Sequence, residues 1–351
     1  MAGQENIRKN RLIMWYSAFR GFYDRRRPED YDFISRFLFS ARSVILVISA
    51  QAAIISGILS YIYGAFSVQR FILVFFGFLI AHALSNLSND YFGYVRGDDT
   101  PDSPRRMYTI HPIADNILSR EEARLSIVLL LLAGLAIAGA LTYMSGIYTL
   151  AFLAAGLALL FLYDAAPKPL KYYGLGEVAS FLAWGPVMVS GGVYAITGHF
   201  FYQSVLVGTP YGLGVMSILW GKHVDQEEYD RSRKIRTMPV LLGGRRALYA
   251  GAAIIVAMYI VPVVEILLGT LPITSIIIFA NLPLLIYAVR VFRSPRPERP
   301  PEGFVGWPLW YHRAALRHNR RYGWLYILAL LVPALLAAAT GNHAMAAHLF
   351  L

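Results

Sequence analysis

The sequence predicts an all-α, polytopic membrane protein: a bundle of nine transmembrane helices with its N-terminus in the cytoplasm. Three observations predict it. Apolar residues make up 57% of the 351-residue chain and charged residues only 15%, with a mean hydropathy of +0.49. Soluble domains carry about 25% charge. Long runs contain no Asp, Glu, Lys or Arg, and the basic residues between them fall on one face. The chain has no cysteine, which excludes disulfides, zinc–thiolate sites, iron–sulfur clusters and cysteine nucleophiles.

Residues 1–41 mix Leu12, Ile13, Trp15, Phe19, Phe33 and Phe37 with Arg and Asp, which predicts a basic amphipathic segment on the membrane surface rather than a signal peptide. Residues 42–341 are expected to form one membrane domain, and 342–351 a short outer tail. Charge-free runs over 43–69 and 71–89 supply the first two spans. Residues 125–163 and 178–221 are each long enough for two, broken near Ser145-Gly146 and Thr197-Gly198. Runs over 247–264 and 266–289 flank Glu265, and 322–351 ends the chain. A helix needs about 20 apolar residues to cross a bilayer. These runs lack the alternation of barrel strands, so helices are the form that satisfies the backbone in lipid.

With nine spans and the N-terminus inside, segments 1–42, 90–124, 164–173, 222–246 and 290–321 share a face. They hold 31 of the 32 Lys and Arg; only Arg70 lies elsewhere. The positive-inside rule makes that face cytoplasmic. The formal charge of +11 is therefore a topology signal, and no nucleic-acid partner is expected.

Two segments on this basic face also concentrate carboxylates. The first contains Asn86, Asn89, Asp90, Asp98 and Asp99; the second contains Asp225, Glu228 and Asp230. In helical geometry Asn86 and Asp90, four apart, share a face, as do Asp225 and Glu228, three apart. Such oxygens suit Mg²⁺. Lys and Arg beside them suit a polyanion, and a diphosphate bridged by Mg²⁺ fits both features.

These residues resemble the UbiA superfamily of intramembrane aromatic prenyltransferases, closest to its 1,4-dihydroxy-2-naphthoate (menaquinone) branch. Asn86-Leu-Ser-Asn89-Asp90-Tyr91 with Gly97-Asp98-Asp99 is similar to the first Asp-rich motif. Pro169-Leu-Lys171-Tyr172-Tyr173-Gly174-Leu-Gly176-Glu177 is similar to the branch signature between the fourth and fifth helices. Asp225 to Asp230, followed by Arg236-Thr237-Met-Pro-Val240, is similar to the second motif. The resemblance covers roughly residues 40–340. It implies Mg²⁺-dependent transfer of a polyprenyl group from a prenyl diphosphate to an aromatic acceptor, with loss of the acceptor carboxylate in the menaquinone branch. It also implies a multi-pass protein of a prokaryotic cytoplasmic membrane, surrounded by membrane lipid. The implied catalytic set is Asn86, Asp90, Asp225 and Asp230. Oxygens for metal come from Asn86, Asn89, Asp90, Asp98, Asp99, Asp225, Glu228 and Asp230. Arg42, Lys168, Lys171, Lys222 and Arg236 are candidates for the diphosphate, Tyr91 and Tyr163 for an allylic cation, and His223 for acceptor or metal.

The chain departs from the pattern in places. Gly93 stands where the family has an Asp four residues after the Asn of its Asn-Asp pair, with Asp98 and Asp99 as replacements. The family's second Asp pair is four apart, whereas Asp225 and Asp230 are five apart. Counting back from Thr237, Asp230 matches the second Asp and Gln226 falls at the first, with Asp225 or Glu228 as substitutes. Tyr173 replaces a common Arg. These departures keep open a terpene cyclase of the same fold and a prenyl-lipid-binding relative of low activity. A secondary transporter is disfavoured, because transporters place their sites near the midplane. Gly174-Leu-Gly176 reads as a tight turn, not a dinucleotide loop. His82 lies within a span, Glu265 is expected at the outer interface, and Arg105, Arg106, His343 and His348 are weak candidates.

Overall fold

The computed structural model describes residues 11–19, 31–99, 103, 110–166, 168–304 and 306–341. Residues 1–10 and 20–30 of the amphipathic segment, Arg105, Arg106 and the tail 342–351 with His343 and His348 lie outside the described residues. Among those described, all regular structure is helical. Two short helices, α1 (Arg11–Phe19) and α2 (Phe33–Ser40), precede the bundle. Asp32 caps α2 through the Ser35 N–H and also accepts from Trp15 Nε1 at 2.9 Å, which ties the two helices together.

The bundle contains α3 (Val47–Ile62), α4 (Val68–Arg96), α5 (Arg120–Ser145), α6 (Thr149–Leu160) and α7 (Gly176–Thr197). It continues with α8 (Tyr202–Asp225), the short α9 (Glu227–Ser232) and α10 (Met238–Leu242), then α11 (Gly244–Leu267), α12 (Ile273–Phe292) and α13 (Trp310–Thr340). Eight of the described helices are long and apolar enough to cross a membrane, α3 counting from Ser43. The expected fourth span is shorter. Its apolar helix covers Thr149–Tyr163, about 22 Å at 1.5 Å per residue, against a hydrocarbon core of about 30 Å. Its last turn widens into a π-helix at Phe161–Ala165.

Helix ends follow local chemistry. Ser119 and Glu122 form a capping box at the start of α5. Ser145-Gly146 and Thr197-Gly198 break the two long runs where the sequence predicts, with Gly146 at φ 104° and Gly198 at φ 79°. Two helices run further into the basic face than the charge-free runs suggest. Helix α4 continues past Asp90 to Arg96, and α13 begins at Trp310 instead of near Tyr322. Charge ends a membrane span but not a helix, so both acidic and basic side chains decorate helical extensions beyond the lipid. Helices α7 and α8 touch backbone to backbone: a Cβ on Gly185 would lie 2.7 Å from Gly208 O and from Gly212 Cα. Small residues four apart allow this approach.

The main core joins α3, α7, α8, α11, α12 and α13, with Tyr211, Tyr322, Tyr326, Phe292 and Ile55 fully buried. Helix α5 lies outside it and exposes Leu125, Leu129, Leu132 and Leu135. Glu265 does not sit at the interface. It is turned inward at 5% exposure in the last turns of α11.

Candidate active site

Two adjoining cavities occupy the half of the bundle built from α3 to α8. The larger has a volume of about 360 Å³ and an almost wholly apolar wall, including Phe78, Leu131, Phe152, Leu157, Trp184 and Met188. His82 lies in this wall with its Nδ1 2.9 Å from Ser49 Oγ, which also accepts from Trp184 Nε1 at 3.0 Å. The smaller cavity, about 60 Å³, is polar and lies at the C-terminal ends of α4 and α8. Arg42, Asn89, Tyr163 and Lys222 line both.

Helix α4 supplies the first wall of the polar cavity. Asp90 is 1% exposed and pairs with Arg42. Arg42 adopts a left-handed conformation, φ 53° and ψ 50°, which costs a non-glycine residue roughly 1–2 kcal/mol. The ion pair is what that backbone distortion secures. Asn86 lies one turn deeper, in the wall of the apolar cavity, and its Nδ2 donates to Ala41 O at 3.0 Å. Past the end of α4, Asp98 accepts from Lys171 Nζ at 3.3 Å, Tyr172 Oη at 2.9 Å and Arg96 Nε at 3.2 Å. Burial works to raise the Asp98 carboxyl, but Lys171, Tyr172 and Arg96 together hold it below the usual carboxylate range. Burial and the Asp98 charge push the Tyr172 phenol up to about 12. Tyr229 Oη donates to the Asp98 carbonyl at 2.6 Å, so both acidic segments meet at this loop.

Helices α8 and α9 supply the opposite wall through Lys222, His223, Gln226, Tyr229 and Asp230. Lys222 near the end of α8, Gln226 at the turn between α8 and α9, and Asp230 on α9 all line this cavity. Burial pushes the Asp230 carboxyl up, against the pull of His223, Lys222 and Lys171. Its Oδ2 is buried with no hydrogen-bond partner among the described residues. His223 is held by Glu177, which is 0% exposed and lies 2.6 Å from His223 Nδ1; the same Glu177 oxygen takes the Met238 N–H at 3.2 Å. Gly176, at the start of α7, lies against the Tyr163 ring.

The structure therefore brings Asn89, Asp90, Asp98, Asp99, Asp230, Arg42, Lys171, Lys222, Tyr163 and His223 around the polar cavity. It does not bring the others there. Asp225 turns away and caps α13: its carboxylate accepts the Tyr311 N–H at 3.1 Å and the His312 N–H at 2.9 Å, with Arg296 4.0 Å away. Glu228 is exposed, because it lies on the face of α9 opposite Asp230. Gln226 occupies the cavity position that Asp225 and Glu228 were expected to fill. Lys168 and Arg236 are exposed and line neither cavity. Tyr91 packs beside Leu87, Ile113, Leu118 and Ala123, away from both cavities. Glu177, Tyr172, Tyr229 and Thr237 join the site without having been singled out. The count back from Thr237 had already put Gln226 at the first position of the second motif; a glutamate buried behind a histidine leaves no such trace.

Asp225→Ala is expected to lower stability by about 1–2 kcal/mol, as loss of a helix cap does, while turnover is retained. Thermal unfolding beside an activity assay measures both, and a dead but equally stable variant would return Asp225 to the site.

The donors fit a hard divalent cation. They are carboxylate and amide oxygens, and they include Asp230, whose buried Oδ2 has no hydrogen-bond partner among the described residues. No three His, Asp or Glu side chains among the described residues stand close enough to enclose a metal by themselves. That suits Mg²⁺, which takes one or two carboxylates and completes its shell with water and substrate phosphates.

A helical membrane bundle with an oxygen- and cation-lined mouth above an apolar chamber is built for an amphipathic anion. The chain belongs to the UbiA prenyltransferase family, which matches residues 50–313. It is an integral, multi-pass membrane protein and a prenyltransferase. Over 291 residues it is 25% identical to the 1,4-dihydroxy-2-naphthoate octaprenyltransferase of Bacillus subtilis, covering 82% of this chain and 89% of the relative. It is also 25% identical to the enzyme of that name from Escherichia coli, over 59% of this chain and 68% of the relative. Among solved structures, one described as a digeranylgeranylglyceryl phosphate synthase superposes with a TM-score of 0.57 at 19% identity, over 86% of this chain and 98% of the other. A UbiA homolog from Archaeoglobus fulgidus bound to GPP and Mg²⁺ superposes with a TM-score of 0.54 at 16% identity, over 84% and 99%.

Proposed function

We propose that this protein transfers a polyprenyl group from a prenyl diphosphate to an aromatic acceptor of the dihydroxynaphthoate type, with Mg²⁺ at the acidic mouth. One observation carries the reading: the polar and the apolar cavity adjoin and share Arg42, Asn89, Tyr163 and Lys222 in their walls. A donor with its head in the first and its tail in the second puts its C1–O bond at that junction. The names of the Bacillus subtilis and Escherichia coli relatives support the acceptor class.

Four carboxylates and three Lys or Arg side chains line the polar cavity. A diphosphate added there leaves a surplus of negative charge. Asp90, Asp98, Asp99 and Asp230, with the Asn89 and Gln226 amides, would hold Mg²⁺, which when bound neutralises that surplus and the charge that develops on pyrophosphate. Lys171, Lys222 and Arg42 would hold the phosphate oxygens as the C1–O bond breaks. Tyr163 would face the allylic cation, which the electron-rich acceptor ring then attacks at C1, the attacked ring carbon losing its carboxylate as CO₂ to restore the aromatic ring. The apolar wall excludes water from the cation. The exposed Leu12, Tyr16, Phe19, Phe33 and Ile34 support placing α1 and α2 on the membrane surface. The basic segments support a nine-span topology with α6 as the short span and a cytoplasmic mouth.

The test is purified protein with Mg²⁺, a panel of prenyl diphosphates and a panel of aromatic acceptors, read by mass spectrometry. A prenylated acceptor supports the reading. A cyclised hydrocarbon from donor alone would make the protein a cyclase, and donor binding without pyrophosphate release a lipid-binding relative.

A further inference from the structure

Gly93 leaves a gap in the first motif, and the structure fills it from elsewhere in the chain. Gly93 is buried on α4, one turn beyond Asn89 and Asp90. A Cβ built on it would meet Asp99 first; all three nearest heavy atoms belong to the Asp99 carboxylate. The turn that ends α4 explains how Asp99 arrives there. Gly97 takes the left-handed conformation at φ 77°, and the Asp98 N–H donates to the Gly93 carbonyl at 2.9 Å. This is a glycine C-cap that reverses the chain onto the helix end. Residue 99 therefore returns over position 93.

A second observation holds Asp99 in place. His111 is 0% exposed, and its Nδ1 accepts the Ile113 N–H at 3.2 Å and the Ala114 N–H at 3.1 Å. The His111 backbone N–H donates to Asp115 Oδ2 at 2.7 Å. With Nδ1 committed as an acceptor, the ring hydrogen belongs on Nε2. That atom lies 3.3 Å from Asp99 Oδ2, near enough to attract the carboxylate although off-axis for a full hydrogen bond. The segment ahead of α5 thus orients a histidine toward an acid that lines the polar cavity.

We propose that Asp99, turned back over Gly93 and positioned by His111, stands in for the carboxylate that the first motif lacks at position 93. The inference rests on the reading of the polar cavity as a Mg²⁺–diphosphate site. Asp99 is then a ligand-facing residue and His111 a positioning residue. Gly93 is required because any side chain there evicts Asp99.

The test uses full-length protein in detergent and a prenyl thiolodiphosphate, a donor analogue that resists ionisation. The readout is the Mg²⁺ concentration at which the analogue raises the unfolding temperature. Asp99→Ala and Gly93→Ala should each raise that concentration about tenfold, the scale on which ligand-orienting groups act. The Gly93→Ala/Asp99→Ala double variant should be no worse than Asp99→Ala, since both remove the same carboxylate. Gly93→Asp combined with Asp99→Ala should recover most of the loss. His111→Asn keeps an acceptor near the Nδ1 position, deletes the nitrogen facing Asp99, and should shift the concentration in the same direction. An unchanged Mg²⁺ requirement in Asp99→Ala, beside a clear requirement in the unaltered protein, would overturn this inference alone. So would a Gly93→Ala effect that persists undiminished without Asp99. If the unaltered protein shows no Mg²⁺-dependent binding, the functional reading falls and this inference with it.

Discussion

Asp230→Ala is expected to lower prenyl transfer by about three decades while the protein still folds and inserts. A unit charge placed about 4 Å from a partner contributes about 4 kcal/mol at an effective dielectric near 20, and each 1.36 kcal/mol is about tenfold in rate. Stability should not fall in parallel. Burial raises the Asp230 carboxyl in the folded state, so the native protein holds its proton more tightly than the unfolded chain. By linkage, stability falls as pH rises through that interval, and at neutral pH the carboxylate opposes folding. The alanine variant should therefore unfold no earlier than the parent. Pyrophosphate release and thermal unfolding on the same preparation measure the two effects. Parent-like turnover would remove Asp230 from the reaction.

Arg42→Ala is expected to do the opposite in stability, with a similar loss of activity. Asp90 is 1% exposed and pairs with Arg42. Removing one member of a buried ion pair typically costs about 3–5 kcal/mol, because the remaining charge loses its counter-charge. Adding Asp90→Asn should restore most of the unfolding temperature, since the uncompensated charge is gone, but not turnover. The double-mutant cycle separates the structural role of the pair from its chemical one. An Arg42→Ala variant with an unchanged unfolding midpoint would show that the pair carries no such load.

The two variants differ because the same cavity mixes two electrostatic designs. Asp90 and Asp98 are satisfied by protein cations before any ligand arrives. Asp230 has a buried oxygen without a partner among the described residues. The first pair organises the mouth; the second group is held ready for an incoming charge, and tolerating it reduces stability.

Much of this was readable along the chain. Charge-free runs located the spans, and Ser145-Gly146 and Thr197-Gly198 marked two breaks, because lipid excludes charge and left-handed turns favour glycine. Helical spacing put Asn86 and Asp90 on one face, and both line cavities. The second motif was less legible. Counting back from Thr237 put Gln226 at the first position, and Asp225 or Glu228 was expected to substitute for it, yet α8 stops at Asp225 and the chain turns there before α9. That turn sends Asp225 to the N-terminus of α13 and Glu228 outward.

By itself, the sequence determined the helical membrane architecture, its basic face and the two acidic segments, since each depends on local composition and short-range periodicity. Only the tertiary structure decided which carboxylates face one another. Asp225 was claimed by backbone N–H groups of Tyr311 and His312, far along the chain. Asp99 was folded back over Gly93 by a turn at Gly97 and met by His111, twelve residues further along the chain. Such assignments follow from buried polar groups competing for partners, and that competition is settled only when the helices pack.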